Sequence, residues 1–415
     1  MNASTPAPRR VIIVGAGMVG LATAWHLQER GVEVTVLDRE GVASGSSWGN
    51  AGWLAPGMAI PLSDPSLWAY GPQAMVDPSA PLAIPIRFDP KLWSFLLRFI
   101  GNATKRTWDK TMSALTPIDL MALDAFDELI AGGVKGETHP QEFIIGFTSE
   151  RASHGFRHEM ALVEEAGQRV PLTTVENPRA KVPQLSAGVD TVLSLGNQRY
   201  FAPGEFVEAL AQSVHERGGT IDTNATVTRV ERRSASVHAV LNDNSTIDGD
   251  AVVIANGAWL PGLAKQHGVR TLVQAGRGYS FSVKTEQPAE YPIYFPNERV
   301  ACTPYHGRLR IAGTMEFRRP DEPIRARRID DIVNAVRPLF TNMDLDNRQE
   351  EWVGSRPVTP DGLPLIGATK TPGVYAAGGH GMWGIVLGPA TGKLLAEEIV
   401  TGVVPSTLAP FNPLR

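Results

Sequence analysis

VIIVGAGMVGLATAWHLQERGVEVTVLD, residues 11–38, switches between two hydrophobic periodicities, and glycines mark the switch. Residues 10–14, RVIIV, read as a buried strand. Residues 18–30 read as a helix, Gly31 stops it, and 33–37 read as a second strand. Gly15, Gly17 and Gly20 stand in GxGxxG spacing between strand and helix. Gly15 permits the tight turn, Gly17 lets backbone approach a pyrophosphate, and Gly20 lets helix and strand pack closely. Met18 and Val19 open the helix, whose unpaired N–H groups and positive dipole end suit phosphate. Asp38 closes the second strand where a ribose hydroxyl would be read, with Arg39 beside it. A strand, a glycine turn, a helix and a terminal acid in this order predict a dinucleotide site. Arg9-Arg10 before an apolar run could also suggest a signal sequence, but regularly spaced glycines leading into a second strand argue against it.

Working outward, 415 residues exceed what one simple core supports, so two domains are expected. Hydrophobic residues at 43% and charged residues at 20% describe an ordinary globular chain, and a net charge of −4 gives no reason to expect nucleic acid. The single cysteine, Cys302, excludes an internal disulfide and fits a reducing, cytoplasmic setting. No apolar stretch has the length of a membrane span. KLWSFLLRFI, residues 91–100, reads as a core-packed helix, with peripheral contact on the inner face of the cytoplasmic membrane as its alternative. His154 and His158 lie four apart with no third ligand in a recognisable pattern, so they read as a solvated helix face and no metal is expected.

Two further segments bear on the cofactor. SGSSWGNAGW, residues 44–53, could run alongside an extended ligand, with Ser46, Ser47 and Asn50 offering hydrogen bonds. AAGGHGMWGIVLGPATGKLLAEEI, residues 376–399, runs through closely spaced glycines into a helix expected from about 386. That pattern suggests backbone pressed against a flat ligand, with a helix N-terminus facing negative charge such as a reduced flavin carries. Two such openings in one chain fit FAD better than NAD. A last segment, GSRPVTPDGLPLIG, residues 354–367, places Arg356 among prolines and glycines and reads as a stiff loop presenting a permanently charged fork.

Taken together, these segments, with RGYSFSV at 277–283 and RLRIAGTMEF at 308–317, resemble the D-amino-acid oxidase superfamily of FAD-dependent oxidoreductases. Within it the chain is most similar to bacterial D-amino-acid dehydrogenases and glyphosate-oxidoreductase-like proteins. The resemblance implies an α/β fold: a discontinuous, glutathione-reductase-type, Rossmann-like FAD-binding domain over 1–62, 200–272 and 350–415. Inserted in it would be an α+β substrate domain built on an antiparallel sheet, over 63–199 and 273–349. Ser47, Asn50, Ala51 and Gly52, with Leu54 just beyond, would line the flavin and ribityl chain. Val227 would touch the adenine side, Ala255 and Gly257 would flank the cofactor, and Gly379, His380, Gly381, Met382 and Gly384 would sit by the pyrimidine edge. Relatives that tether flavin covalently carry a cysteine shortly before a TPD-like motif; SRPVTPD lacks one, which implies non-covalent FAD.

The implied activity is oxidative deamination of a D-amino acid. Hydride would pass from the α-carbon to flavin N5, the imine would hydrolyse to a 2-oxo acid, and electrons would go to quinone or another acceptor. Glycine, sarcosine, D-proline-like or other secondary amine acids remain alternative substrates, and a flavin-carrying subunit of a hetero-oligomer is an alternative role. Arg356 would grip the substrate carboxylate, with Tyr279 and Tyr294 covering the substrate. His380 reads as a flavin contact rather than a base. Trp48 is expected near the flavin, narrowing the pocket or shielding the cofactor.

Overall fold

The computed structural model describes residues 7–415 except 66, 69–70, 72–76, 78 and 235. The opening stretch folds as strand Arg10–Val14, helix Met18–Gln28 and strand Glu33–Leu37. These strands pair in parallel in a six-stranded sheet, in the order Thr220–Asp222, Glu33–Leu37, Arg10–Val14, Ala251–Ile254, Val374–Gly378, Leu365–Ala368. Leu365–Ala368 alone runs antiparallel. Helices Met18–Gln28 and Gly384–Thr401 are apolar nearly all round and almost wholly buried, as helices between layers must be. They pack backbone to backbone: a Cβ on Gly392 would lie 2.5 Å from the carbonyl carbon of Ala22, so a larger residue there would force them apart. Gly384, rather than a residue near 386, begins the second helix.

Residues 220–233 hold two strands in two sheets. Thr220–Asp222 joins the parallel sheet, whereas Val227–Arg233 belongs to a three-stranded antiparallel sheet with Ser236–Leu241 and Thr246–Gly249. The Asp222 carboxylate accepts the Asn224 N–H at 2.9 Å and turns the chain between them.

A nine-stranded, largely antiparallel sheet forms the other main layer. At one side Gln349–Val358, Gln274–Lys284, Arg308–Phe317 and Val300–Tyr305 lie next to one another. Arg356 therefore sits in a strand rather than in a stiff loop. The prolines misled the reading because Gln349–Val358 is an edge strand, where Pro357 can be tolerated without a ladder donor. What fixes Arg356 is its pairing with Gly276, and the loop chemistry begins only after Val358.

The expected helix at 91–100 spans Pro90–Gly101, capped by the Asp89 carboxylate on the Leu92 N–H. It buries Leu92, Phe95, Leu96 and Phe99 and leaves Leu97 exposed; Ile86, Phe88 and Trp68 are exposed as well. No helix among the described residues is long and apolar enough to cross a membrane.

Candidate active site

Two cavities meet along the seam between the parallel sheet and the antiparallel sheet. The first, of about 410 Å³, runs from the glycine turn at Gly15 and Gly17 to the opening of the helix at Gly384. Gly15 has φ +118°, and a Cβ there would lie 2.5 Å from the Ala255 carbonyl oxygen, so the turn requires glycine. Gly17 is different. A Cβ on it would meet only the Ser47 hydroxyl, at 3.4 Å, so protein packing does not demand a glycine; the space it leaves belongs to the cavity. Gly257 likewise faces open space. Such a cradle, bordered by two helix N-termini, fits a pyrophosphate-bearing flavin.

Hydroxyls of the antiparallel sheet pin the 44–52 loop along this cavity. Ser280 donates to the Gly49 carbonyl at 2.7 Å and Thr303 to that of Ala51 at 2.5 Å, while Ser46 donates to the Ser355 carbonyl at 2.5 Å. Asp38 accepts the Ala16 N–H at 2.9 Å on one oxygen and those of Glu40 and Gly41 on the other. It therefore braces the turn as well as facing the cavity. Arg39 stacks on Trp259, 4.2 Å from the ring centre, and both bond Asp321.

The second cavity, of about 510 Å³, shares Asn50, Ala51, Ala312, Arg356, Met382 and Ile385 with the first. Beyond them it is mostly apolar, walled by Met58, Leu62, Leu67, Leu82, Phe99, Met315, Phe317 and Trp383. Arg356 stands at the junction. Its Nη1 donates to the Thr314 carbonyl at 2.9 Å, and no carboxylate among the described residues pairs with it. Its guanidinium lies over Gly278, where a Cβ would come within 2.2 Å of the Arg356 carbon Cζ. Desolvation pulls its pKa down to about 10, which still leaves a cation at neutral pH in a water-poor site.

The two tyrosines are already engaged. Tyr279 lines the first cavity, but its hydroxyl donates to Glu316 at 3.1 Å; burial, then the Glu316 charge, push its pKa up to about 12. Tyr294 lines the second cavity with its ring edge-on to Trp53, and its hydroxyl bonds Arg299. Arg299 also faces Glu159, whose carboxyl burial raises to about 7. A substrate acid group would have to compete for either hydroxyl. His380 lines the first cavity, shares a hydrogen bond of 3.0 Å between Nε2 and the Thr391 hydroxyl, and is lowered to about 4 by burial. It is a neutral imidazole at pH 7.

Of the residues singled out for the cofactor, Gly15, Gly17, Met18, Val19, Asp38, Arg39, Ser46, Ser47, Asn50, Ala51, Val227, Ala255, Gly257, His380, Gly381, Met382 and Gly384 line the first cavity. Gly20, Gly52, Leu54 and Gly379 do not. A Cβ on Gly20 would lie 2.0 Å from the Gly15 carbonyl oxygen, and one on Gly52 2.2 Å from that of Phe201. Gly379 backs onto Thr359 and Leu365, and Leu54 is core. Trp48 turns from the cofactor cavity to pack on Gly204 and on the Arg310 guanidinium, 5.0 Å from its ring centre. Sequence reading missed Trp352, Trp259 and Thr314. Trp352 covers Gly49 and Gly354, each with room for no Cβ beneath the indole. Those two glycines were the available signal, but only the fold brings them under one ring.

The family model described as "FAD dependent oxidoreductase" matches residues 10–398. A D-amino acid dehydrogenase of Vibrio vulnificus is 28% identical over 404 residues, covering 95% of this chain and 96% of that protein. One from Azorhizobium caulinodans is 28% identical over 410 residues, covering 95% and 97%. Among solved structures, glycine oxidase from Geobacillus kaustophilus superposes with a TM-score of 0.74 at 23% identity, covering 99% of both chains. L-proline dehydrogenase from P. horikoshii gives 0.69 at 18% identity, covering 99% of this chain and 98% of that one. These two likenesses concern the fold.

Proposed function

The chain belongs to the FAD dependent oxidoreductase family, and from that premise we propose that it oxidises the Cα–N bond of a D-amino acid bearing an apolar side chain. The observation that carries this reading is Arg356: a cation at the junction of the two cavities, with one hydrogen bond to a backbone carbonyl and no paired carboxylate among the described residues. A desolvated guanidinium is a strong, oriented site for an acid group. The second cavity supports a substrate with a side chain. At about 510 Å³ and largely apolar, it would be left mostly unfilled by glycine or sarcosine. The D configuration is supported by the names of the curated relatives.

When bound, FAD supplies the two-electron acceptor for the Cα–H bond. The chain's own residues do the positioning. Arg356 anchors the carboxylate, and the shared wall of Asn50, Ala51, Ala312 and Ile385 sets where the α-carbon meets the cofactor cavity. The apolar lining disfavours an ammonium and so favours the neutral amine that oxidation needs. Neutral His380 adds no positive charge against that amine. Cys302 is buried in the core and lines neither cavity, which supports a dissociable cofactor. Quinone is the acceptor this reading favours. The exposed Trp68, Ile86, Phe88 and Leu97 mark where peripheral membrane contact would occur.

Anaerobic mixing of the flavin-loaded protein with D- and L-amino acids, glycine, sarcosine and D-proline tests this reading through bleaching of the flavin absorption. Bleaching by apolar D-amino acids is expected. Arg356→Ala should keep its flavin yet lose apparent affinity by roughly a hundredfold or more. No bleaching with any amino acid would refute the substrate class.

A further inference from the structure

Thr314 is an unusual residue for its place in the sheet. Strand Gln274–Lys284 pairs with Arg308–Phe317 in regular register until Tyr279 opposite Gly313; the next pair is Arg277 opposite Glu316. Thr314 and Met315 therefore both face Gly278, which is a β-bulge. At such a bulge the left-handed position commonly falls to glycine, and here it is held by threonine at φ +57°. A β-branched side chain in that region is strained, and strain of this kind persists where the surroundings impose it, often at functional sites.

The bulge has two consequences on the page. It turns the Thr314 carbonyl toward Arg356, which donates to it at 2.9 Å. It also leaves the Thr314 hydroxyl buried and without a hydrogen-bond partner, on a residue 7% exposed that lines the substrate cavity. A buried hydroxyl with nothing to bond is a group awaiting a ligand. Gly278, the residue opposite the bulge, is also the one over which the guanidinium lies. The strain, the orphaned hydroxyl and a cation with no carboxylate partner among the described residues thus share one spot.

We propose that the Thr314 hydroxyl is a substrate-binding group that donates a hydrogen bond to the same carboxylate Arg356 holds. The inference rests on the reading of the preceding subsection. Because Arg356 Nη1 bonds the carbonyl of Thr314 itself, a carboxylate held by the rest of the guanidinium would lie within reach of the Thr314 side chain. A hydroxyl donating to an ionised oxygen makes a strong bond, whereas the backbone strain by itself would favour glycine.

The test uses flavin-loaded full-length protein and three variants: Thr314→Ser, Thr314→Ala and Thr314→Gly. Binding of benzoate, a carboxylate that cannot be oxidised here, is read from its perturbation of the flavin spectrum. KM and kcat are measured beside it, with the best D-amino acid of the panel. Thr314→Ser should stay within about threefold of the parent, and Thr314→Ala should bind benzoate and substrate about ten- to a hundredfold more weakly. Thr314→Gly should match the alanine variant in binding while melting no lower than the parent, since it relieves the strained φ. Ser and Ala share a Cβ, so their difference isolates the hydroxyl even should Thr314→Gly fail to fold. Equal binding by Ser and Ala variants, in a parent that binds benzoate and is reduced by D-amino acids, overturns the role of Thr314 alone. A parent that neither binds benzoate nor is reduced overturns both this inference and the amino-acid reading beneath it.

Discussion

The two adjoining cavities are built from different materials. The proposed cofactor cavity is rich in glycine: turns at Gly15–Gly17 and around His380–Gly381, two helix N-termini, and a loop pinned through its carbonyls. The proposed substrate cavity has Gly313 as its one lining glycine and is walled mainly by larger apolar residues, drawn from between 50 and 385 with no local motif joining them. A cavity edged by glycines tolerates little change in residue size at them, because a Cβ in the wrong place fills it. One made of side chains can be altered wall by wall while the chemistry at its mouth persists. That difference teaches where a family's shared chemistry and its members' specificity can reside.

The largest expected effect falls on the backbone side. Gly17→Val has an ordinary φ of −87° and only the Ser47 hydroxyl nearby, so the chain should fold with a near-parental melting temperature. The valine would occupy the space left for a pyrophosphate, and the purified protein should carry no flavin. Flavin absorbance per mole of folded protein checks this. Full flavin loading would break the contrast between the two cavities.

A smaller effect is expected where the two materials meet. Gly278→Ala places a Cβ where the Arg356 guanidinium now lies. The flexible side chain can move aside, so fold and flavin content should survive. The fork would lose its aim, weakening benzoate or amino-acid binding about tenfold, and titration of flavin spectral changes measures it.

The smallest effect at neutral pH lies away from both cavities, in the buried helix Met18–Gln28. His26 is fully buried without a hydrogen-bond partner for either ring nitrogen, and burial first, then Arg30, Lys393 and Arg217, lower its pKa to about 3. An unfolded chain would protonate it near 6.5 while the folded chain resists, so stability should decline as the pH falls from about 6.5 toward 3. Neutral His380 adds a loss over about 6.5 to 4. His26→Leu should flatten part of the decline at the acid end, with little change at pH 7. Melting curves between those pH values would show it. An unchanged acid profile would place the sensitivity elsewhere.

How much could be read in advance follows the same divide. GxGxxG with Asp38 marked a strand, glycine turn and helix at the edge of a cavity because the three are neighbours in the chain, and local periodicity records local structure. Gly20, Gly52 and Gly379 looked equivalent to their neighbours in sequence, yet they serve packing, because what a missing Cβ makes room for depends on the element across from it. Tyr279 and Tyr294 have the right chemistry, but Glu316, remote in sequence from Tyr279, and Arg299, across the turn that follows Tyr294, engage their hydroxyls. Trp352 gave no signal as a cavity wall until its strand lay over Gly49.

Sequence alone determined that a dinucleotide turn opens this chain and that a second glycine-rich helix start lies near its end, because both depend on neighbouring φ angles and short-range spacing. Tertiary structure decided that Arg356 sits in an edge strand, over Gly278 and against the Thr314 carbonyl, at the mouth of an apolar cavity. Those three residues are brought together by β-ladder register and a bulge. Register is a property of strand pairing across the sheet, which no single segment carries in its own pattern.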